Sequence, residues 1–311
     1  MNKKFFTIFR YLFSIILLAV LLRGSRFNLI AGLFQSLDHL SIILAVTFFF
    51  SAHFVSSVKW RLFTSKISLK HLFKWTLISN FYSMLLVGQL SGDLMRVLGM
   101  RSTDVKTGSL VTITLYDRLT GIIGLLFITV CSLAMSPVRK TLPGGFFIFS
   151  ILSLFTALLL TGFLYLVSFR AGKKPLSNER KLDKLLLKIG FHSDISCNPK
   201  ILISSFVCSV VYQLFAAAVI VVIACKIIPQ ISIMDWLWVM GLVSIITLLP
   251  LSVGGLGIRE AGFVGVLYFL GISREQSIAL SLSAYSIQLI GALTGGVFLL
   301  IRNHPPKEQK T

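Results

Sequence analysis

Charged side chains stand inside otherwise apolar stretches of this sequence at three places, and each is suited to holding an anion or closing a buried ion pair. In "YDRLTG", residues 116–121, Asp117 and Arg118 interrupt a long apolar run. In "GQLSGDLMR", residues 88–96, Asp93 and Arg96 follow glycines. In "PLSVGGLGIRE", residues 250–260, Gly254, Gly255 and Gly257 lead into Arg259 and Glu260. An ionised group at membrane depth costs about 3 kcal/mol on insertion scales, so these side chains face protein or water and find partners. Adjacent helical residues point about 100° apart, so Asp117 and Arg118 cannot share one contact, and at least one reaches another element.

The glycine-rich stretch carries the more specific chemistry. Glycines let a chain turn and aim successive N–H groups outward, and the helix predicted from near Ile258 adds its positive end. With Arg259 in the first turn, this is the composition of an anion site. In the earlier stretch, Ser91 or Asp93 is placed to cap a helix beginning near Leu94, with Arg96 in its first turn.

Two assignments stay open at this point. In one, Arg96, Arg118 and Arg259 hold an anionic headgroup together with the N–H groups of Gly254, Gly255 and Gly257, supported by Asp93, Asp117 and Glu260. In the other, Arg259 closes on Glu260 and Arg96 on Asp93 as structural clamps, and Asp117 and Arg118 form a pair near the cytoplasmic end of their span. A third possibility uses Asp117 or Glu260 as general base of an intramembrane transferase. The sequence offers it no nucleotide-sugar or acyl-donor site.

Composition fixes what positions these residues. Of 311 residues, 55% are hydrophobic and 13% charged, and the mean hydropathy is +0.87. Apolar windows of about twenty residues recur along the chain, which describes an all-α polytopic membrane protein and leaves no room for a soluble enzyme domain. Thirty Lys and Arg against 11 Asp and Glu give +19. Crowded into short connections, these basic residues set topology and meet anionic lipid headgroups, and no nucleic-acid partner is implied. The basic, apolar N-terminus has no small-residue cleavage site after Leu22 and reads as a retained span. Cys131, Cys197, Cys208 and Cys225 lack metal-type spacing, and His39, His53, His71, His192 and His304 are scattered, so no metal site is expected. With no P-loop, GxSxG or HExxH, no cofactor and no catalytic function are expected.

Six full spans are predicted near residues 5–22, 41–58, 108–136, 145–169, 200–224 and 277–301. Two further apolar regions, about 73–100 and 233–271, are broken by the first and second glycine stretches. The basic connections 59–74 and 170–200, with the tail after Arg302, belong on the cytoplasmic side by their Lys and Arg content. They agree only if each broken region enters the membrane and returns to its own side. The alternative, each broken region as a pair of ordinary spans, gives ten spans with the same termini.

The predicted architecture is therefore a single membrane domain over residues 1–311, with six spans and two oppositely oriented re-entrant hairpins. One half covers about 1–136 and the other about 145–302. "LSGDLMR" aligns without gaps on "VGGLGIR", pairing Gly92 with Gly255 and Arg96 with Arg259, which suggests the inverted repeat common in transporters. Gly121 with Gly124, and Gly291 with Gly295, suit close helix packing. Residues 178–191, with leucines at helical spacing opposite lysines, read as an amphipathic helix on the inner leaflet or a docking surface.

The pattern P-x-S-x-G-G-x-G-x-R-E, here Pro250, Ser252, Gly254, Gly255, Gly257, Arg259 and Glu260, resembles a hallmark of the lysylphosphatidylglycerol synthase transmembrane, flippase-like family. "SGDLMR" resembles its G-D-x-x-R element, without a proline before the Gly-Asp, and "YDRLTG" resembles its charged span. The resemblance runs from about Phe5 to Arg302 and implies a membrane domain that moves anionic, aminoacylated or polyprenyl-phosphate-linked lipids between leaflets. The soluble aminoacyltransferase domain of that family is absent from the sequence. The expected role is thus a lipid flippase or transporter in the cell membrane, with both termini cytoplasmic. The alternative is an accessory subunit that presents a lipid to a separate, membrane-associated glycosyltransferase or aminoacyltransferase, docked on residues 170–200.

Overall fold

The computed structural model describes residues 3–23, 25–65, 67–85, 89–100, 105, 107–140, 144–173, 199–248, 252 and 254–302. The amphipathic helix expected at 178–191, most of the basic 170–200 connection and the C-terminal tail lie outside these residues. Every extended element among them is helical. In chain order these are α1 (Lys3–Leu22), α2 (Phe27–Gln35), α3 (His39–Phe63), α4 (Leu69–Leu85), α5 (Gln89–Gly99), α6 (Thr107–Met135), α7 (Gly144–Lys173), α8 (Pro199–Ile227), α9 (Ile233–Thr247), α10 (Ile258–Tyr268) and α11 (Arg274–Arg302).

Four of the predicted spans appear as helices long and apolar enough to cross a membrane: His39–Phe63, Thr107–Met135, Lys200–Ile227 and Arg274–Ile301. The span expected at 145–169 lies in the 30-residue α7, which exposes Ile151, Leu152, Phe155, Leu158 and Leu159 and packs on α6. The first expected span ends in a bend of 95° between α1 and α2. Nothing in the sequence announces α2, whose nine residues include Asn28 and Gln35 and are too few to register as a span.

Both broken apolar regions fold as helix pairs, α4 on α5 and α9 on α10. At 11 residues, α5 and α10 are each about 16 Å long, roughly half the hydrocarbon thickness. One expectation fails here. The first break falls before Gln89, so the second helix of that pair begins five residues earlier than Leu94, Asp93 is inside it rather than at its cap, and Arg96 lies in its last turn. Gly92 was read as a breaker, but it is a contact residue: a side chain there would collide with Ser83 and the Ser79 carbonyl of α4. The second pair follows the prediction, with α10 starting at Ile258 and Gly254, Gly255 and Gly257 all at positive φ (59°, 83° and 83°). The gapless alignment therefore sets a helical glycine, Gly92, opposite a left-handed loop glycine, Gly255.

Glycines set how closely the long helices approach. A Cβ on Gly295 of α11 would stand 2.6 Å from the Leu77 carbonyl carbon of α4, and one on Gly291 would overlap the Phe49 ring of α3. Gly124 of α6 lies somewhat less tightly against Ser209 of α8, at 2.9 Å from such a Cβ, whereas Gly121 leaves room and its flank faces the Lys59 ammonium. The largest core, built around Trp236, Trp238, Phe263, Phe49 and Ile278, ties α3, α8, α9, α10 and α11 together. A second, around Trp60, Trp75, Met100 and Ile113, joins α3, α4 and α6 next to the charged site.

A buried charge cluster and a capped tip

The charged residues of the first half converge. Asp117 and Arg118, adjacent on α6, diverge as helical geometry requires, and both reach other elements. Arg118 grips Asp93 of α5, with Nε and one terminal nitrogen each 2.7 Å from Oδ2. Asp117 turns toward α3, where Lys59 Nζ lies 2.9 Å from its Oδ1 and 2.7 Å from its backbone carbonyl. Arg96, one turn from Asp93 on α5, sits 3.9 Å from the other Asp117 oxygen. Helices α5 and α6 are thus cross-linked by two carboxylates and two guanidinium groups, each helix supplying one of each. The pairing is not the Arg96–Asp93 clamp considered from sequence.

Arg96 is 4% exposed and held on three sides. Its guanidinium stacks 3.9 Å over the Trp60 ring of α3, and it donates at 2.7 Å to Thr76 of α4, whose hydroxyl also meets Ser57 of α3 at 3.0 Å. Among the described residues its Nε has no hydrogen-bond partner. Among the described residues, three cations, Lys59, Arg96 and Arg118, face two carboxylates, Asp93 and Asp117. A buried guanidinium with an unspent donor favours the oxygens of an anion, since leaving such a donor unmatched in low dielectric is costly. Arg118 is its open edge, with the side chain 34% exposed.

Arg259 and Glu260 make a different arrangement. Glu260 is fully buried and accepts from the Gly257 N–H at 2.6 Å, the Ser281 hydroxyl at 2.9 Å and Arg259 at 3.4 Å. It acts first as the cap of α10, satisfying an N–H that the helix start leaves open. Arg259 donates to Gln288 of α11 at 2.9 Å and lies over the Tyr285 ring at 4.7 Å, and its Nε is also without a partner. Glu260 therefore neutralises Arg259 only in part. Gly254 approaches the Met84 carbonyl at the end of α4, so the second tip abuts the first helix pair, while Gly257 faces Ser14 and Leu17 of α1.

Arg96, Arg118, Asp93 and Asp117 are thus brought together, and Arg259, Glu260 and the three glycines form a separate site. Several participants carry no signal in the sequence, among them Lys59, Thr76 and Gln288. Lys59 was assigned to a basic connection, but α3 continues to Phe63 and buries it. Thr76 and Gln288 are single polar residues in apolar runs, with no spacing to mark them. Among the described residues no group of three His, Cys, Asp or Glu is arranged to hold a metal.

No curated protein matches the chain. The sequence pattern of one family, described as "Lysylphosphatidylglycerol synthase TM region", matches residues 7–296. A helical membrane domain whose Gly-rich tip, G-D-x-x-R element and charged span all fall within that match belongs to the lysylphosphatidylglycerol synthase transmembrane-region family.

Proposed function

We propose that this chain moves an anionic lipid between leaflets, with the headgroup seated at the Arg96–Arg118 cluster and the two halves of the domain giving alternate access. The observation that carries this reading is the buried Arg96, its Nε unspent, in a cluster where the described residues place three cations beside two carboxylates. A phosphate supplies the missing negative charge and acceptor oxygens, and charge-assisted hydrogen bonds of this kind contribute about 1.5–3 kcal/mol each. Arg259, with its own unspent Nε beside the Gly254–Gly257 tip, is the second station on the route.

The short α5 and α10 support two re-entrant hairpins, since neither is long enough to cross. The distribution of basic residues supports six spans, cytoplasmic termini and hairpins opening on opposite faces, an inverted architecture of elements rather than of aligned residues. Substrates of fitting chemistry are phospholipids, aminoacyl-phospholipids and polyprenyl-phosphate-linked sugars, and the site reads as a transporter's rather than a catalyst's. In liposomes with fluorescent phosphatidylglycerol, the reading requires leaflet exchange that Arg96→Ala and Arg259→Ala each reduce at least tenfold. Exchange no faster than in these variants, for every anionic lipid tried, overturns it.

A further inference from the structure

One titratable side chain of the interior takes no part in the site as described. His53 lies within α3, one turn before Ser57 and on the same face. The Ser57 hydroxyl donates to the His53 carbonyl at 2.9 Å and meets Thr76 at 3.0 Å, and Thr76 accepts from Arg96 at 2.7 Å. His53 is therefore one helical turn from the pair of hydroxyls that holds Arg96. On α4, Asn80 follows Thr76 by one turn and faces the ring.

The ring itself is fixed. Nδ1 lies 3.0 Å from the Phe49 carbonyl, and the imidazole stacks on the Phe49 ring at 4.2 Å. A carbonyl can only accept, so Nδ1 keeps its hydrogen in either charge state and Nε2 is the nitrogen that gains or loses a proton. The groups facing His53 are few. Helix α5 contributes the Arg96 charge, α8 contributes Tyr212 with its ring centroid 6.4 Å away, α4 contributes the uncharged Asn80, and on α11 Gly291 packs against Phe49. Among the described residues no carboxylate makes an ion pair with it. His53 lies two turns before Trp60, on which Arg96 stacks, with no ion-paired acid of its own among the described residues, so an anion seated at Arg96 favours a proton on the ring.

We propose that His53 binds a proton in step with the anion site, so that a headgroup seated on Arg96 and Arg118 is accompanied by uptake of up to one proton at Nε2. The proton comes from water on the loading side and returns to water when the anion leaves, which makes the protein a proton and anion co-transporter. This rests on the anion-binding reading above. By linkage, headgroup affinity rises as pH falls, by at most about tenfold per pH unit.

Calorimetric titration of the full-length protein in detergent counts the protons. Dihexanoyl phosphatidylglycerol is the titrant, in two buffers of the same pH and different ionisation enthalpy. The wild-type enthalpy should differ between buffers by the amount expected for a fractional proton, up to one, taken up per lipid bound. His53→Asn keeps a donor where Nδ1 stands and removes Nε2, and His53→Gln is the second variant. In both, binding should persist and the buffer dependence vanish. Inorganic phosphate, which itself ionises near neutral pH, is titrated in parallel, and only the uptake that both substitutions remove is counted; such uptake with either titrant supports the coupling, and with lipid alone assigns it to the headgroup. Binding with the same enthalpy in both buffers overturns the proton inference and leaves the anion site standing, as does a buffer dependence that survives both substitutions. No binding of either titrant overturns both.

Discussion

Replacing Lys59 by methionine and Asp117 by asparagine, singly and together, dissects the buried pair that ties α3 to α6. Lys59 Nζ is 2.9 Å from Asp117 Oδ1, and Arg96 is 3.9 Å from Oδ2. Coulombic attraction falls inversely with distance, so Arg96 supplies about three quarters of the attraction that Lys59 does, whatever the dielectric. In Lys59→Met, Asp117 keeps that second partner, and the expected cost is about 1–3 kcal/mol. In Asp117→Asn the cluster passes from three cations on two carboxylates to three on one, and both Lys59 and Arg96 lose their charge partner. Uncompensated buried charge of this kind costs about 3–5 kcal/mol. The double variant returns the surplus to a single positive charge, so it should cost less than the sum of the two single changes by at least about 1 kcal/mol. Unfolding of the four proteins in detergent closes the double-mutant cycle. Additive costs within about 0.5 kcal/mol would refute the pairing, and so would equal costs for the two single variants.

Two further outcomes follow from the packing and from the surface. Gly295→Ala brings a Cβ within 2.6 Å of the Leu77 carbonyl carbon and should force α11 from α4 by nearly an ångström, costing about 1–3 kcal/mol in spite of the better helix propensity of alanine; unchanged or raised stability in detergent would contradict that contact. At the exposed start of α3, hydrogen bonding from Ser41 and from Lys226 holds Asp38 at about 2, below its ordinary 3.8. The folded chain binds this proton less readily than the unfolded one, so the stabilisation is present above about pH 4 and is lost as pH falls toward 2. The stability advantage of the wild type over Asp38→Asn should shrink across that interval, and a constant difference in melting temperature would contradict it.

Four of the six predicted spans were legible because a run of twenty apolar residues has few alternatives, and α10 was legible because three glycines before Arg259 leave one place for a helix to begin. The register of α5 was not. Gly92 carries the same letter whether it breaks a helix or lets one lie on the Ser79 carbonyl, and only the neighbouring helix decides. The cluster was half legible for the same reason: Asp117 and Arg118 announce that partners exist, yet the choice of Lys59 and Asp93 depends on how α3, α5 and α6 are rotated about their axes. A lysine near the end of a span reads as a topology signal, and nothing local to "SSVKWRL" marks Lys59 as turned inward.

The approach of Gly254 to the Met84 carbonyl bears on how such a domain changes shape. No side chain separates the glycine tip from the end of α4, so the two meet main chain to main chain, without the rotamer freedom that normally cushions a moving joint. A sideways step of the tip would therefore bear directly on α4, the helix whose Thr76 holds Arg96. Under the proposed alternating access the contact would serve as a fulcrum, with the two helix pairs as levers bearing on one point.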